Sequence, residues 1–253
     1  MTTPRVLTPD EITAHFSGRQ LTAEATMYLD RHARRYARAL RILNDLRNMT
    51  EAAPARILDV GPSFLTELVK QNFPVDTIAA LGLAGEKRRG GHLPVEVNLD
   101  GVELYNFDLN ESTRRERWIS CTPFDLVIMA ELIEHLYCAP THVLAFMRSL
   151  MHPGAFLIIQ TPNAASTVNR LSLLMGRNPY HPIRENAENP GHFHEYTKRE
   201  LVSLAIKTGF EVHSFSYENY FARLNGVEKT YGVIQGIMPP SWRDGMTAAL
   251  RGQ

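Results

Sequence analysis

The sequence ARILDVGPSFLTELVKQN, at residues 55–72, changes its pattern at Gly61. The apolar run RILDV before the glycine predicts a buried strand, and FLTELVKQN after it has its apolar residues at helical spacing. A strand that leads through a glycine into a helix places a ligand outside the carboxyl end of a parallel strand. Asp59 can accept hydrogen bonds from a cationic amine there, and Gly61 lets the backbone approach a ligand closely.

Further strand-like runs alternate with helical segments along the rest of the chain. The runs are TIAALGL (77–83), FDLVIMA (124–130), AFLIIQTPN (155–163), EVHSFSYENY (211–220) and GMTAALRG (245–252). An alternation of polar and apolar residues around Asp100-Gly101 also predicts a β-hairpin at residues 92–110. Strands that alternate with helices predict an α/β fold, in which a mostly parallel sheet has helices on both faces.

The same patterns divide the chain into segments. Residues 1–52 predict an N-terminal helical cap, and residues 53–253 predict one α/β domain in which residues 164–191 form a lid-like insertion. One helix of the cap has an apolar side and an arginine side. We expect the arginine side to be a solvated face, although it could also attract an anionic substrate or partner; its members are Arg31, Arg34, Arg35, Arg38 and Arg41.

Composition excludes several classes of protein. The 253 residues include 27 basic and 27 acidic side chains, so no overall positive charge indicates a nucleic acid as partner. The two cysteines, Cys121 and Cys138, are too few for a disulfide framework and too far apart for a Cys-x-x-Cys motif. The longest apolar runs are far shorter than a membrane span, and the first residues lack the apolar core of a signal peptide. A cytoplasmic protein is expected, and a homodimer is left open.

A second motif, FDLVIMAELIEHL at residues 124–136, combines a buried strand with acidic residues and a histidine. We expect the strand to end at Ala130 and to open a helix, on which Glu131 and His135 share one face. The alternative interpretation is structural, because acidic residues in a first helical turn interact favourably with the helix dipole. A third motif, FDLN at residues 107–110, puts Asp108 at the end of another strand.

Taken in this order and spacing, ILDVG, FDLN and FDLVIMAELIEHL resemble the class I S-adenosylmethionine-dependent methyltransferases. The resemblance is closer to the small-molecule branch whose fourth strand reads FDLVxxxExxEHL. It covers about residues 53–163, and HFHEYT at residues 192–197 also looks like that branch. The resemblance implies a seven-stranded Rossmann-like sheet whose last strand is antiparallel, and it implies S-adenosylmethionine as the cofactor.

The resemblance also implies roles for residues at the strand ends. Asp59 and Gly61 would hold the methionine and ribose part of the cofactor, and Ser63 and Phe64 would line the first turn. The remaining cofactor residues would lie at the adenine and the sulfonium; they are Asp108 with Leu109, and Ala130 with Glu131. The family usually has a ribose-binding acid near the end of the second strand. This chain has Gly82 there, and Glu86 could serve instead.

The function implied is methyl transfer to a small-molecule acceptor, with a hydroxyl as the expected group. An acceptor hydroxyl of high pKa needs a general base, and His194 is the first candidate and His135 the second. A metal site could be suggested by His192, His194 and nearby His181. Two histidines two residues apart are a weak signal, however, so no metal is predicted.

The sequence leaves two other functions open. The arginine face would suit an RNA or protein methyltransferase, but Asn178-Pro179-Tyr180 lies in the wrong place for the Asn-Pro-Pro-Tyr-like motif of base-methylating enzymes. The missing ribose-binding acid would suit a non-catalytic binding protein that retains the fold.

Overall fold

A computed structural model describes residues 6–83, 97–180, 182–186, 190–220 and 238–253. The helices are α1 Pro9–Phe16, α2 Ala23–Arg47, α3 Phe64–Asn72, α4 Pro140–Ser149, α5 Thr167–Leu174 and α6 Lys198–Lys207. The strands are β1 Arg56–Val60, β2 Thr77–Gly82, β3 Glu103–Asn106, β4 Phe124–Ala130, β5 Met151–Pro162, β6 Phe210–Glu218 and β7 Gly245–Gly252. No helix among the described residues is long and apolar enough to cross a membrane.

All seven strands form one sheet in the order β3-β2-β1-β4-β5-β7-β6. The pairings from β3 to β5 are parallel, whereas β7 is antiparallel to both β5 and β6. The strand order reverses between β1 and β4, and open α/β sheets bind their ligands at the carboxyl ends of the strands at such a point. The prediction of a mostly parallel Rossmann-like sheet with an antiparallel last strand is therefore confirmed.

Both faces of the sheet are covered by helices, so neighbouring residues of a strand enter different apolar clusters. Ile57 of β1 packs into a cluster with α1, α2 and α3, whereas Leu58 packs into a cluster with α4 and α6. On the first face, α2 contacts α3, β4 and β5. The segment predicted as a helical cap thus supplies one covering layer of the sheet.

The turn predicted at Asp100-Gly101 is present, since the N–H of Val102 donates to the carbonyl oxygen of Leu99, but the described residues beside it do not pair as a β-hairpin. Strand β3, which follows this turn, pairs in parallel with β2, so that Tyr105 lies beside Leu81. Residues 97–99 on the other side of the turn are not in a strand, and the rest of that arm lies outside the described residues. Alternation of polar and apolar residues is expected of any strand with one solvated face, so it could not identify the partner strand.

The helix predicted to open directly after Ala130 is also wrong. Glu131 has a φ of +52°, Ile133–His135 forms a short 3-10 helix, and α4 begins only at Pro140, which is its first residue. A residue in the left-handed region interrupts a right-handed helical path, and proline favours the first position of a new helix. Glu131 and His135 therefore do not share the face of an α-helix.

Candidate active site

Asp59 lies at the carboxyl end of β1 and is almost completely buried. Its Oδ2 accepts a 2.6 Å hydrogen bond from Thr66 Oγ1, whose oxygen in turn accepts one from the backbone N–H of Ser63. Burial raises the pKa of Asp59 to about 7, although the Thr66 hydrogen bond and the charge of Arg35 act in the opposite direction. A buried carboxyl group with this pKa would gain from a cationic ligand, which favours its ionised form.

The turn after β1 is shaped by Gly61, Pro62 and Ser63. Gly61 has a φ of +87°, a conformation that favours glycine, and its N–H donates to the carbonyl oxygen of Leu81. Ser63 caps α3 by accepting from the N–H of Leu65. Phe64, which the sequence placed along this turn, instead buries its ring in the core with a centroid 4.7 Å from that of Phe16.

The turn after β1 can lie close to the end of β2 because Gly82, the last residue of β2, has no Cβ. A Cβ at residue 82 would lie 2.8 Å from Pro62 Cδ, so the position accepts no side chain unless the turn moves. The ribose-binding acid therefore cannot stand at residue 82 itself. Glu86, the alternative acid, lies outside the described residues.

Glu131 follows β4 and has the one positive φ found among the described residues other than glycine. Such a conformation is unfavourable for a residue with a Cβ and is concentrated at functional sites. The Glu131 N–H donates to the carbonyl oxygen of Gln160, which ties the turn after β4 to β5. Glu131 Oε2 lies 3.8 Å from Arg35 Nη1, and its Oε1 is buried with no hydrogen-bond partner within the described ranges. Ala130 precedes it as the last, partly buried residue of β4.

Arg35 of α2 is the site residue that the sequence interpretation missed. Its side chain is 2% exposed, and its guanidinium carbon lies 5.1 Å from the centre of the Tyr36 ring. Its Nε and Nη1 have no hydrogen-bond partner among the described residues. Arg31, Arg34 and Arg41 are exposed as expected, but Arg35 and, in part, Arg38 are not. A signal was present, because residues 32, 39 and 42, which share its side of the helix, are also buried.

At the carboxyl end of β3, Asp108 caps the 3-10 helix Leu109–Thr113 by accepting from the N–H of Asn110. Asn110 Oδ1 accepts from the N–H of Tyr137, which links this edge to the segment after β4. Leu109 is buried in the apolar core. Asp108 thus lies at the carboxyl edge of the sheet, where the resemblance places the adenine, and Leu109 beside it belongs to the core.

Of the histidines considered, the structure brings together His135 and His192 but not His194. The rings of His135 and His192 meet edge to face with centroids 4.7 Å apart, beside the fully buried Glu134. The His194 ring is half exposed, and its Nε2 lies 3.3 Å from Glu200 Oε1 of α6. It lines an open groove of about 720 Å³ whose other walls include Tyr137, Tyr196 and Leu204. His181 lies outside the described residues.

The groups around Asp59 fit the cofactor that the sequence implies. The methionine part of S-adenosylmethionine carries a carboxylate, an ammonium and a positive sulfonium. Among the described residues, two buried nitrogen atoms of Arg35 and one buried oxygen of Glu131 have no hydrogen-bond partner, and Asp59 accepts a side-chain hydrogen bond from Thr66. These opposite charges match the charges of the ligand at the carboxyl ends of the paired strands β1 and β4.

Comparisons with known proteins agree with this fold. A family model described as a methyltransferase domain matches residues 29–214. No curated protein sequence matches the chain. Among solved structures, the chain is similar to the pyocyanin biosynthetic protein PhzM, with 15% identity, a TM-score of 0.52, and coverage of 96% of this chain and 62% of that one. It therefore spans less than two thirds of the length of PhzM.

A second similar structure is an S-adenosylmethionine-dependent methyltransferase from Mesorhizobium loti. Its identity is 12%, its TM-score is 0.50, and the match covers 82% of this chain and 95% of that one. At these identities the likenesses concern the fold, whereas the family match extends over most of the chain. This chain therefore belongs to the class I S-adenosylmethionine-dependent methyltransferases.

Proposed function

We propose that this protein transfers a methyl group from S-adenosylmethionine to a hydroxyl group of a small molecule. The observation that carries the proposal is the set of buried charges formed by Arg35, Asp59 and Glu131 at the carboxyl ends of β1 and β4. Buried charged groups with incomplete partners are costly in a protein, and a zwitterionic ligand would complete them.

Each of these residues has a distinct role in holding the cofactor. The unpartnered nitrogen atoms of Arg35 would donate to the methionine carboxylate, and Asp59 would accept from the ammonium. Glu131 would place negative charge beside the sulfonium, and Gly61 would let the backbone approach the ribose. When bound, S-adenosylmethionine supplies an electrophilic methyl group, so the protein has mainly to align the acceptor.

The acceptor hydroxyl requires removal of a proton, and we retain His194 as the first candidate base. Its ring is half exposed, and its Nε2 is 3.3 Å from Glu200 Oε1, so a small shift of the ring would open Nε2 to an acceptor. His135 remains the second candidate, but its Nδ1 already bonds the carbonyl oxygen of Gly191 at 2.9 Å. Neutral imidazole has the right pKa range for this task near pH 7.

The insertion predicted at residues 164–191 would hold the body of the acceptor. Its helix α5 exposes apolar side chains, among them Leu171, Leu173 and Leu174, and Met175 follows the helix. Exposed apolar residues this close together often mark a binding surface. They support an acceptor with an apolar part, and a closing movement of this segment would exclude water.

The alternatives from the sequence have less support. An RNA or protein methyltransferase was suggested by the arginine face, but the burial of Arg35 removes its central member. The missing ribose-binding acid would also suit a non-catalytic binding protein. In that case the site would bind the cofactor but would not transfer its methyl group.

The test uses S-adenosylmethionine whose methyl group carries deuterium, offered with hydroxylated small molecules, total RNA or unfolded protein. We expect a mass shift in hydroxylated small molecules and none in matched compounds whose hydroxyl is already a methoxy group. Label in RNA or protein alone would contradict the proposed acceptor. Tight binding of S-adenosylhomocysteine without any transfer across these acceptor classes would support the binding protein instead.

A further inference from the structure

Beyond the end of β4, the side chains of Glu134, His135 and His192 converge. One ligand atom from each lies within 4.8 Å of those of the other two. Glu134 is completely buried; its Oε2 accepts a 2.9 Å hydrogen bond from Thr161 Oγ1, but its Oε1 has no hydrogen-bond partner in the part of the chain that the structure describes. A buried carboxylate oxygen without a partner is costly, so this oxygen requires a proton, a cationic side chain or a metal ion.

The outer nitrogen of each imidazole is already engaged. His135 Nδ1 lies 2.9 Å from the carbonyl oxygen of Gly191, and His192 Nδ1 lies 2.9 Å from Glu195 Oε1. A carbonyl or carboxylate oxygen accepts, so Nδ1 carries the proton and the neutral ring has its lone pair on Nε2. Histidines that bind metals are usually held in this way, by a carbonyl or carboxylate on the other ring nitrogen.

Backbone hydrogen bonds hold the two halves of the cluster in place. The N–H groups of Phe193 and His194 both donate to the carbonyl oxygen of Glu134, at 2.8 and 3.3 Å. His135 Nε2 lies 4.0 Å from Glu134 Oε1. Ligand atoms about 2.1 Å from a tetrahedral ion are about 3.4 Å apart, so side-chain movements of about 1 Å would form the site.

We propose that Glu134, His135 and His192 bind a divalent transition-metal ion. Two imidazole nitrogens and one carboxylate suit zinc, manganese, iron(II) or cobalt, whereas calcium and magnesium prefer sites made of oxygen atoms. Three protein ligands leave at least one coordination position for water or another ligand. The sequence did not predict this site because His192 was paired with His194, its neighbour in the sequence, rather than with the residues after β4.

The position of the cluster relates it to the cofactor site. Glu131 and Glu134 both lie in the segment that follows β4. Thr161 lies near the end of β5, at the same edge of the sheet. An ion with an open position there would bind an acceptor oxygen and lower the pKa of its hydroxyl. This consequence rests on the proposed function, whereas binding of the ion does not.

The experiment measures ion binding without cofactor or acceptor. Full-length protein, freed of any affinity tag and stripped with a chelator, is titrated with Zn²⁺ and with Mn²⁺ in a calorimeter. We expect one site per chain for at least one of the ions. The variant His192→Gln is expected to weaken binding more than about 100-fold, and Glu195→Gln, which loses only the outer partner, by about 10- to 100-fold. The matched control His194→Gln removes a histidine two residues away and should bind as the wild type does.

Folding is checked separately, because Glu134→Gln replaces a fully buried residue and could unfold the chain. His192 is 34% exposed, so His192→Gln is the primary variant, and its far-ultraviolet circular dichroism should match that of the wild type. No binding of either ion up to about millimolar concentration would overturn the proposal, and so would equal loss in His192→Gln and His194→Gln. Binding of S-adenosylhomocysteine to the stripped protein is then measured. Its failure would count against the proposed function and not against the metal site.

Discussion

Arg35 Nη1 of α2 lies 3.8 Å from Glu131 Oε2, which follows β4, and both side chains are largely buried. The N-terminal helix thus supplies a charged group to the site that the strands of the sheet form. Among the described residues the Arg35 Nε and Nη1 atoms have no hydrogen-bond partner, which supports the proposal that this pair also binds an anionic group of the cofactor.

The first prediction concerns this arginine. In Arg35→Met, affinity for S-adenosylhomocysteine should fall by about 10- to 100-fold, because a charged hydrogen bond to the methionine carboxylate is lost. Affinity for 5′-methylthioadenosine, which lacks the amino-acid part, should stay unchanged. Calorimetry with both ligands checks this, and Arg34→Met, at an exposed neighbour, is the matched control. Equal loss of both ligands would show that Arg35 only supports the fold.

The second prediction concerns the pH dependence of cofactor binding. Asp59 has a pKa of about 7 in the free protein because it is buried, and the cofactor ammonium requires its ionised form. As pH falls from 7 to 5, affinity for S-adenosylhomocysteine should fall by up to about tenfold per pH unit, while the ligand ammonium stays protonated. Calorimetry across this range should show no such slope in Asp59→Asn. A flat wild-type profile would contradict the role of Asp59.

The third prediction concerns stability without ligand. The folded pKa of Asp59 is raised from 3.8 to about 7, so between these values the folded state holds a proton that the unfolded state has released. The free energy of unfolding should therefore fall as pH rises through this window, by up to about 1.4 kcal/mol per pH unit, and should level off above pH 7. Urea denaturation compares the wild type with Asp59→Asn, which lacks this contribution. The stability of the wild type relative to Asp59→Asn should fall from pH 4.5 to 7, and a constant difference would show that Asp59 is ionised throughout.

The fourth prediction concerns the close contact under the first turn. In Gly82→Ala, the new methyl group would lie 2.8 Å from Pro62 Cδ, so the turn that carries Ser63 must move. Overpacking of this kind costs about 1–3 kcal/mol of stability, and cofactor affinity should fall with it. Gly18→Ala is the control and should be nearly neutral in urea denaturation, because among the described residues no atom beyond its chain neighbours lies within 4 Å of the added Cβ.

The fifth prediction concerns the base, once an acceptor is identified. His194→Gln should lower the turnover rate by about 10²- to 10⁴-fold and leave affinity for S-adenosylhomocysteine unchanged. His142→Gln, at an exposed position on α4, is the control. Normal turnover in His194→Gln would show that a group other than His194 accepts the proton. Loss of cofactor affinity in the same variant would show that His194 has a structural role.

Much of the fold could be predicted from local patterns. The run around Gly61 predicted β1 and α3, and the apolar runs predicted β4, β5 and β7, because a strand buried on both faces needs a continuous apolar segment. The hairpin at Asp100-Gly101 could not be judged in this way. The local pattern describes one strand, whereas the choice between a parallel and an antiparallel partner depends on the packing of the whole sheet.

The candidate site also combines features set by local sequence with features set by tertiary packing. The sequence by itself determined the βα turn with Asp59 and Gly61 and the motif after β4, since these depend on residues close together in the chain. Only the tertiary structure decided that Arg35 is buried against Glu131, and that His192 joins Glu134 and His135 while His194 does not. These contacts join segments far apart in the sequence. They form when helices and loops pack onto the strand ends. This packing decides which of several similar arginine or histidine side chains is buried at the site.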